Sequence, residues 1–164
     1  MTQAARYVKL ATLTGRVDTL DSSYHAAFYL LSYDPEVCDI AARHITHDGI
    51  NFPGLKRAAR GFDERTRQVI DVAHNLFSWT SRCSVTPFDI SRLGYPYMEL
   101  VYNACHIAVG EVQVVIQKGR DGQETMVLDD AAYQQAKGIY MDMEQFQDSM
   151  ISEMEHDEAD ELEP

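Results

Sequence analysis

Apolar positions along this chain recur mostly at the spacing of helices, and only near the C-terminal third at the spacing of strands. Residues 4–14 place Ala4, Val8, Leu10 and Ala11 at helical spacing before Gly15. The next run, 23–33, carries Tyr24, Ala27, Phe28 and Leu31 on one face, with Ala26, Tyr29 and Leu30 making it apolar nearly all round. Such a helix is expected at the centre of a core. Asp34-Pro35 is a start signal, an acidic cap followed by proline in the first turn, and Val37, Ile40, Ala41 and Ile45 supply the face of the helix behind it. The stretch Gly49–Gly61 contains Pro53-Gly54 and reads as loop with one turn near Leu55–Ala59. Asp63 opens an amphipathic helix, with Val69, Ile70, Ala73, Leu76 and Phe77 on one side and Glu64, Arg65, Arg67, Gln68 and Asp71 on the other; Trp79 closes it. Thr86-Pro87 starts a short helix to Leu93, and Gly94 and Pro96 separate it from a helix over 97–109 with Tyr97, Val101, Ala104, Cys105 and Ala108 inward.

After Gly110 the period changes. Val112, Val114 and Ile116 alternate with Gln113 and Gln117, and Thr125–Leu128 can return as a second strand. Asp121-Gly122 lies in the turn between them, where both residue types tolerate positive φ. A lone hairpin is marginal in water, so this one must lean on the helices or on a partner. Asp129 caps a last helix from Asp130 that can extend to residue 154. The fold expected is mainly α: a compact multi-helix core over 1–110, one C-terminal β-hairpin over 111–128 packed on it, a terminal helix over 129–154, and an acidic tail over 155–164.

Composition bears on partners. The chain has 164 residues and a net charge of −12. Ten acidic residues and no Lys or Arg fall in 142–164, whereas residues 1–141 hold 16 acidic and 14 basic residues, a balance of −2. The excess charge therefore sits on the C-terminal segment, which repels nucleic acid and anionic membrane and attracts a basic surface. Asp142, Glu144, Asp148, Glu153, Glu155, Asp157 and Glu158 are the candidate partner-binding residues. A like-charge block can equally serve only to keep a chain solvated. No run approaches the roughly 18 apolar residues of a membrane span. The N-terminus lacks a basic start followed by an apolar stretch, and three scattered cysteines, Cys38, Cys83 and Cys105, suggest no disulfide framework. A cytoplasmic protein is expected, without membrane attachment and without direct nucleic-acid contact.

Candidate chemistry is sparse. His44 and His47 are three apart with Asp48 beside them, a spacing that can hold a divalent metal. No second cluster completes the ligand set, and histidines at a helix end also serve the helix dipole, so no metal is assigned. Cys105 and His106 are adjacent, so on a helix they diverge by about 100° and cannot face each other. His25 and His74 lie in packed helices, where a hydrogen bond to a buried neighbour is the simpler role. Lys56, Arg57, Arg60, Arg65 and Arg67 form the one basic cluster, suited to a phosphate, to an acidic partner, or to the acidic segment of the same chain. Tyr24, Phe28, Tyr29, Tyr33, Phe77, Trp79, Phe88, Tyr95, Tyr97 and Tyr102 are expected in the core and its rim. Gly-rich phosphate loops and the GxSxG elbow are absent, and no cofactor is expected.

Three runs, Asp21-Ser22-Ser23-Tyr24-His25-Ala26-Ala27-Phe28-Tyr29-Leu30-Leu31, Ala73-His74-Asn75-Leu76-Phe77-Ser78-Trp79 and Thr86-Pro87-Phe88-Asp89-Ile90, occur in that order. In this the chain resembles an uncharacterised family of small proteins encoded by phages and prophages of Gram-positive bacteria. There a tyrosine–histidine helix precedes an Ala-Phe-Asn-Leu-Phe/Trp helix and a Ser/Thr-Pro-x-x-Ile/Leu turn. The likeness spans roughly residues 5–105 and departs at position 74, where His74 replaces an aromatic residue. It implies a mobile-element setting and brings no reaction, cofactor or catalytic residue. The expectation is a non-enzymatic accessory protein of the host cytoplasm. It would bind and inhibit a host or defence protein by laying its acidic segment on a basic surface, in the sharpest version as a nucleic-acid mimic. Two alternatives remain: a histidine-based, metal-dependent enzyme or small-molecule binder using His25, His44, His47 or His74, and a self-associating assembly protein whose hairpin pairs with its own copy to form a homo-oligomer.

Overall fold

Helix α2 (Ser22–Leu31) is buried nearly all round, and the rest of the first unit is arranged about it. The computed structural model describes the backbone of residues 1–160 and the side chains of these residues other than 153 and 155–160. Asp21 caps α2 by accepting the amides of Ser23 and Tyr24. Ala26, Ala27, Phe28 and Leu31 are all inaccessible to solvent. Burying a side chain such as Phe28 or Leu31 stabilises the fold by about 1.5–3 kcal/mol each.

Helix α1 (Gln3–Leu13) begins at Thr2, whose hydroxyl accepts from the Ala5 amide, and turns Ala4, Tyr7, Leu10 and Ala11 inward. Helix α3 (Pro35–Ala42) starts at Asp34 and packs on α1. Helix α5 (Glu64–Phe77) is capped by Asp63, which accepts the Thr66 amide. Helices α6 (Pro87–Leu93) and α7 (Tyr97–Ala108) follow, the first opened by a capping box between Thr86 and Asp89. Both α5 and α7 lie against α2. The C-terminal end of α2 is held by Arg6 of α1. Its Nε donates to the Ser32 carbonyl at 2.7 Å and its terminal nitrogens to Tyr33 and Met1 carbonyls at 2.6 Å each. The Ser32 and Tyr33 carbonyls are ones that α2 leaves without donors at its end, and the guanidinium charge complements the negative pole there.

The C-terminal hairpin joins β3 (Gln113–Lys118) and β4 (Glu124–Asp129) antiparallel, with Val114 opposite Leu128 and Ile116 opposite Met126. These four lie partly buried against the core, and β4 packs on α1. The connection is five residues long: only Gly122 adopts positive φ (77°), while Asp121 Oδ1 accepts the Gln123 amide at 3.1 Å. The Asp-Gly pair thus serves a longer loop and not a two-residue turn.

The expected mainly-α fold with a C-terminal hairpin is the one observed, with four differences in detail. A second hairpin, β1 (Ile45–Thr46) paired with β2 (Gly49–Ile50), takes Ile45 out of α3. Helix α4 (Phe52–Ala58) occupies the expected loop: Asn51 accepts the Gly54 amide as its cap, and Pro53 sits in the first turn where no amide is needed. Helix α7 turns Leu100, Val101, Ala104 and Ile107 inward, which leaves Cys105 exposed. Trp79, Phe88, Tyr95 and Tyr102 are exposed, Trp79 by 87%.

The chain divides into two compact units, Met1–Asp129 and Asp130–Pro164. The second consists of helix α8 (Ala131–Asp160), which continues six residues beyond the expected end at 154. The rest of the expected tail, 161–164, lies outside the described residues. Among the described residues, no helix is long and apolar enough to cross a membrane.

Candidate interaction site

Helix α8 carries two superposed patterns. Ile139, Met143, Phe146, Met150 and Met154 follow one another at spacings of four, three, four and four residues. This draws a narrow stripe along one face, the spacing of a coiled-coil seam. The stripe is about 22 Å long at 1.5 Å per residue. All five side chains are exposed, Phe146 by 65%. Ile139, Met143, Phe146 and Met150 line a shallow groove with Asp142 and Gln147.

The second pattern is charge. Asp142 stands about 100° to one side of Met143 and Glu144 about 100° to the other, and Asp148 lies further round. All three are exposed. Within 131–160 there are eight acidic residues against one lysine, Lys137. Of the seven residues expected to meet a partner, Asp142, Glu144 and Asp148 are on the described surface. Glu153, Glu155, Asp157 and Glu158 belong to the same helix, but their side chains lie outside the described residues. Sequence reasoning found the charge and missed the stripe, although the four-three-four spacing of Ile139, Met143, Phe146 and Met150 was there to read.

The histidines do not gather. The His44 ring packs over Gly54: a Cβ there would come within 2.8 Å of His44 Nδ1. His47 is exposed, 3.8 Å from an equally exposed Asp48. His25 Nδ1 and the Tyr7 hydroxyl are 2.5 Å apart between α1 and α2. Burial pushes the His25 pKa down and the Tyr7 pKa up. His74 stacks on Phe52 with ring centroids 4.6 Å apart, and burial, with Lys56 nearby, lowers its pKa. His106 Nδ1 meets Glu111 at 2.6 Å. Among the described residues, no three His, Cys, Asp or Glu side chains are placed to hold a metal ion.

The basic cluster is split by the turn between α4 and α5. Lys56 pairs with Asp71 of α5, and Asp71 also accepts the Ser84 amide at 3.0 Å. Burial of Asp71 opposes its ionisation, but the Lys56 and Ser84 contacts outweigh it and hold the carboxyl below the usual range. Arg57, Arg60, Arg65 and Arg67 are exposed. No family model, curated protein or solved structure matches this chain.

Proposed function

We propose that the chain is a protein-binding module whose helix α8 docks on a cationic, apolar-faced helix or groove of a partner protein. The observation that carries this reading is the exposed stripe Ile139–Met143–Phe146–Met150–Met154 flanked by Asp142 and Glu144. An amphipathic helix of this kind is the unit recognised when a helix enters a groove. Methionine-rich faces repack easily against varied surfaces. The charge specifies the partner: two copies of α8 meeting along the stripe would bring Asp142 and Glu144 of each into one interface, whereas a basic partner would neutralise them. In the mobile-element setting that the resemblance implies, the partner would be a host or defence protein, inhibited by the loss of a basic, nucleic-acid-binding surface.

A direct test titrates the full chain with a synthetic lysine–leucine heptad peptide by calorimetry at two salt concentrations. Expected is saturable binding that weakens at least about tenfold at the higher salt, as Debye screening shortens. In the triple variant Asp142→Lys, Glu144→Lys, Asp148→Lys the salt slope should collapse. In Met143→Glu, Phe146→Glu the affinity should fall while the salt slope remains. A charge-reversed helix with unchanged affinity and slope rules the proposal out, and a dimeric solution mass that is lost in Phe146→Glu replaces it with self-association.

A further inference from the structure

The first unit contains a cleft that α8 binding does not use. It lies between the end of α4, the turn that follows, and the polar face of α5, with the segment 84–85 along one edge, and has a volume of about 360 Å³. That is the size of a small-molecule site and too small for a polymer strand. Three of its side chains are cationic, Lys56, Arg60 and Arg67, and two acidic, Glu64 and Asp71. Their charges are not equivalent. Asp71 is committed to Lys56 and to the amide and hydroxyl of Ser84, at 3.0 and 3.3 Å. Among the described residues neither Arg60 nor Arg67 has a carboxylate within ion-pair distance, and Glu64 has no cation within that distance.

The free charge of the cleft is thus two guanidiniums against one carboxylate, in a chain whose net charge is −12. A planar guanidinium presents paired donors that match the oxygens of a phosphate, which a lysine cannot do. Gln68 adds an amide donor on the same helix face. The floor has a different character: Ala59 and Ile70 are buried, and Val85 is half-buried beside them. A bare inorganic anion would leave that floor without contact. We infer that this cleft binds a small phosphate monoester with a compact apolar body, the phosphate held by Arg60 and Arg67 and the body resting on Ala59, Ile70 and Val85. The inference stands on residues of the first unit alone and does not depend on the role proposed for α8.

The test is an amide-shift titration of the full-length protein by NMR, with phenyl phosphate as probe. Expected are saturable shifts confined to residues 56–71 and 84–85. Arg60→Gln and Arg67→Gln should each weaken binding about tenfold, the loss of one charged hydrogen-bonding partner. Both side chains are exposed, so these variants keep the native spectrum. Arg120→Gln, in the exposed turn of the β3–β4 hairpin, should bind as the parent does. Inorganic phosphate should bind at least about fivefold more weakly than phenyl phosphate, for want of contact with the floor. Shifts that grow linearly without saturating overturn the proposal. An equal loss in Arg120→Gln overturns it too, because the attraction would then be diffuse. Equal affinities for the two probes remove the apolar half of the ligand.

Discussion

Arg6 makes the most exacting prediction for the fold. Replacing it with methionine keeps an apolar stem of similar length and removes three hydrogen bonds, two to carbonyls just past α2 and one to Met1. The Met1 carbonyl is exposed and turns to water, so it contributes little. The Ser32 and Tyr33 carbonyls differ, because Ser32 is fully buried and Tyr33 partly so. Each loses a charged donor worth about 1.5–3 kcal/mol. The shorter, uncharged side chain gives back part of this in recovered rotamer freedom, on the order of 1–2 kcal/mol. The net expectation is a loss of about 2–4 kcal/mol, or roughly 6–16 °C in Tm for a unit of this size. Urea unfolding followed by far-UV dichroism measures it, and the slope with denaturant should stay unchanged because the surface exposed on unfolding is the same. Hydrogen exchange should localise the loss to the last turn of α2. Arg6→Lys should recover less than half, since one ammonium cannot serve two carbonyls in fixed directions. A loss below about 0.5 kcal/mol, the range of ordinary surface substitutions, would refute the reasoning.

Further predictions follow the same logic. His25 and His74 both have pKa values depressed by burial, so the unfolded chain takes up their protons more readily than the folded one. Stability should be full above about pH 6.5 and fall as the pH drops below it, and His25→Gln should flatten part of that slope in denaturation curves recorded from pH 8 to 5. Gly54→Ala would drive a Cβ to 2.8 Å from both Asn51 Nδ2 and His44 Nδ1, costing about 1–3 kcal/mol by thermal unfolding. Lys56→Met strands the mostly buried Asp71 carboxylate: its pKa, followed by carboxyl NMR, should rise, and stability should fall by about 1–3 kcal/mol. Phe28→Ala, at the fully buried centre of α2, should cost about 3–5 kcal/mol in the same unfolding assay.

What was legible in the sequence was chiefly punctuation. Asp34, Asp63 and Thr86 each accept amides at the starts of helices, and an N-cap acts within one turn, where sequence neighbours are spatial neighbours. The alternation of Val114 and Ile116 against Leu128 and Met126 was readable for the same local reason. Helix α4 was not, because Pro53-Gly54 carries the residues of a loop. Proline is harmless in a first turn, and glycine is required there by the His44 ring, a contact set by the small β1–β2 hairpin that folds the chain back. Two-residue strands have no period to detect. The inward face of α7 was misjudged at Cys105 because it stands only about 100° from the buried Ala104, and the packing partner, α2, decides which side of Ala104 is covered. At the candidate site, charge was visible at once, since it needs only counting. The stripe was a local four-three-four spacing that the charge overshadowed, whereas the Arg60–Arg67 cleft, which also takes in Ser84 and Val85 from a later segment, needed to be seen as a surface.

The position of Trp79 has an optical consequence. It is the only tryptophan in the chain and is 87% exposed just beyond α5, whereas Tyr7, Tyr24 and Tyr29 are buried in the first unit. Light absorbed by indole alone therefore interrogates water at the protein's edge. Its emission should be red-shifted and open to iodide quenching in the native state, and almost indifferent to melting. Tyr7, Tyr24 and Tyr29 carry the opposite information, so indole and these buried phenols separate the fate of the interior from events at the surface.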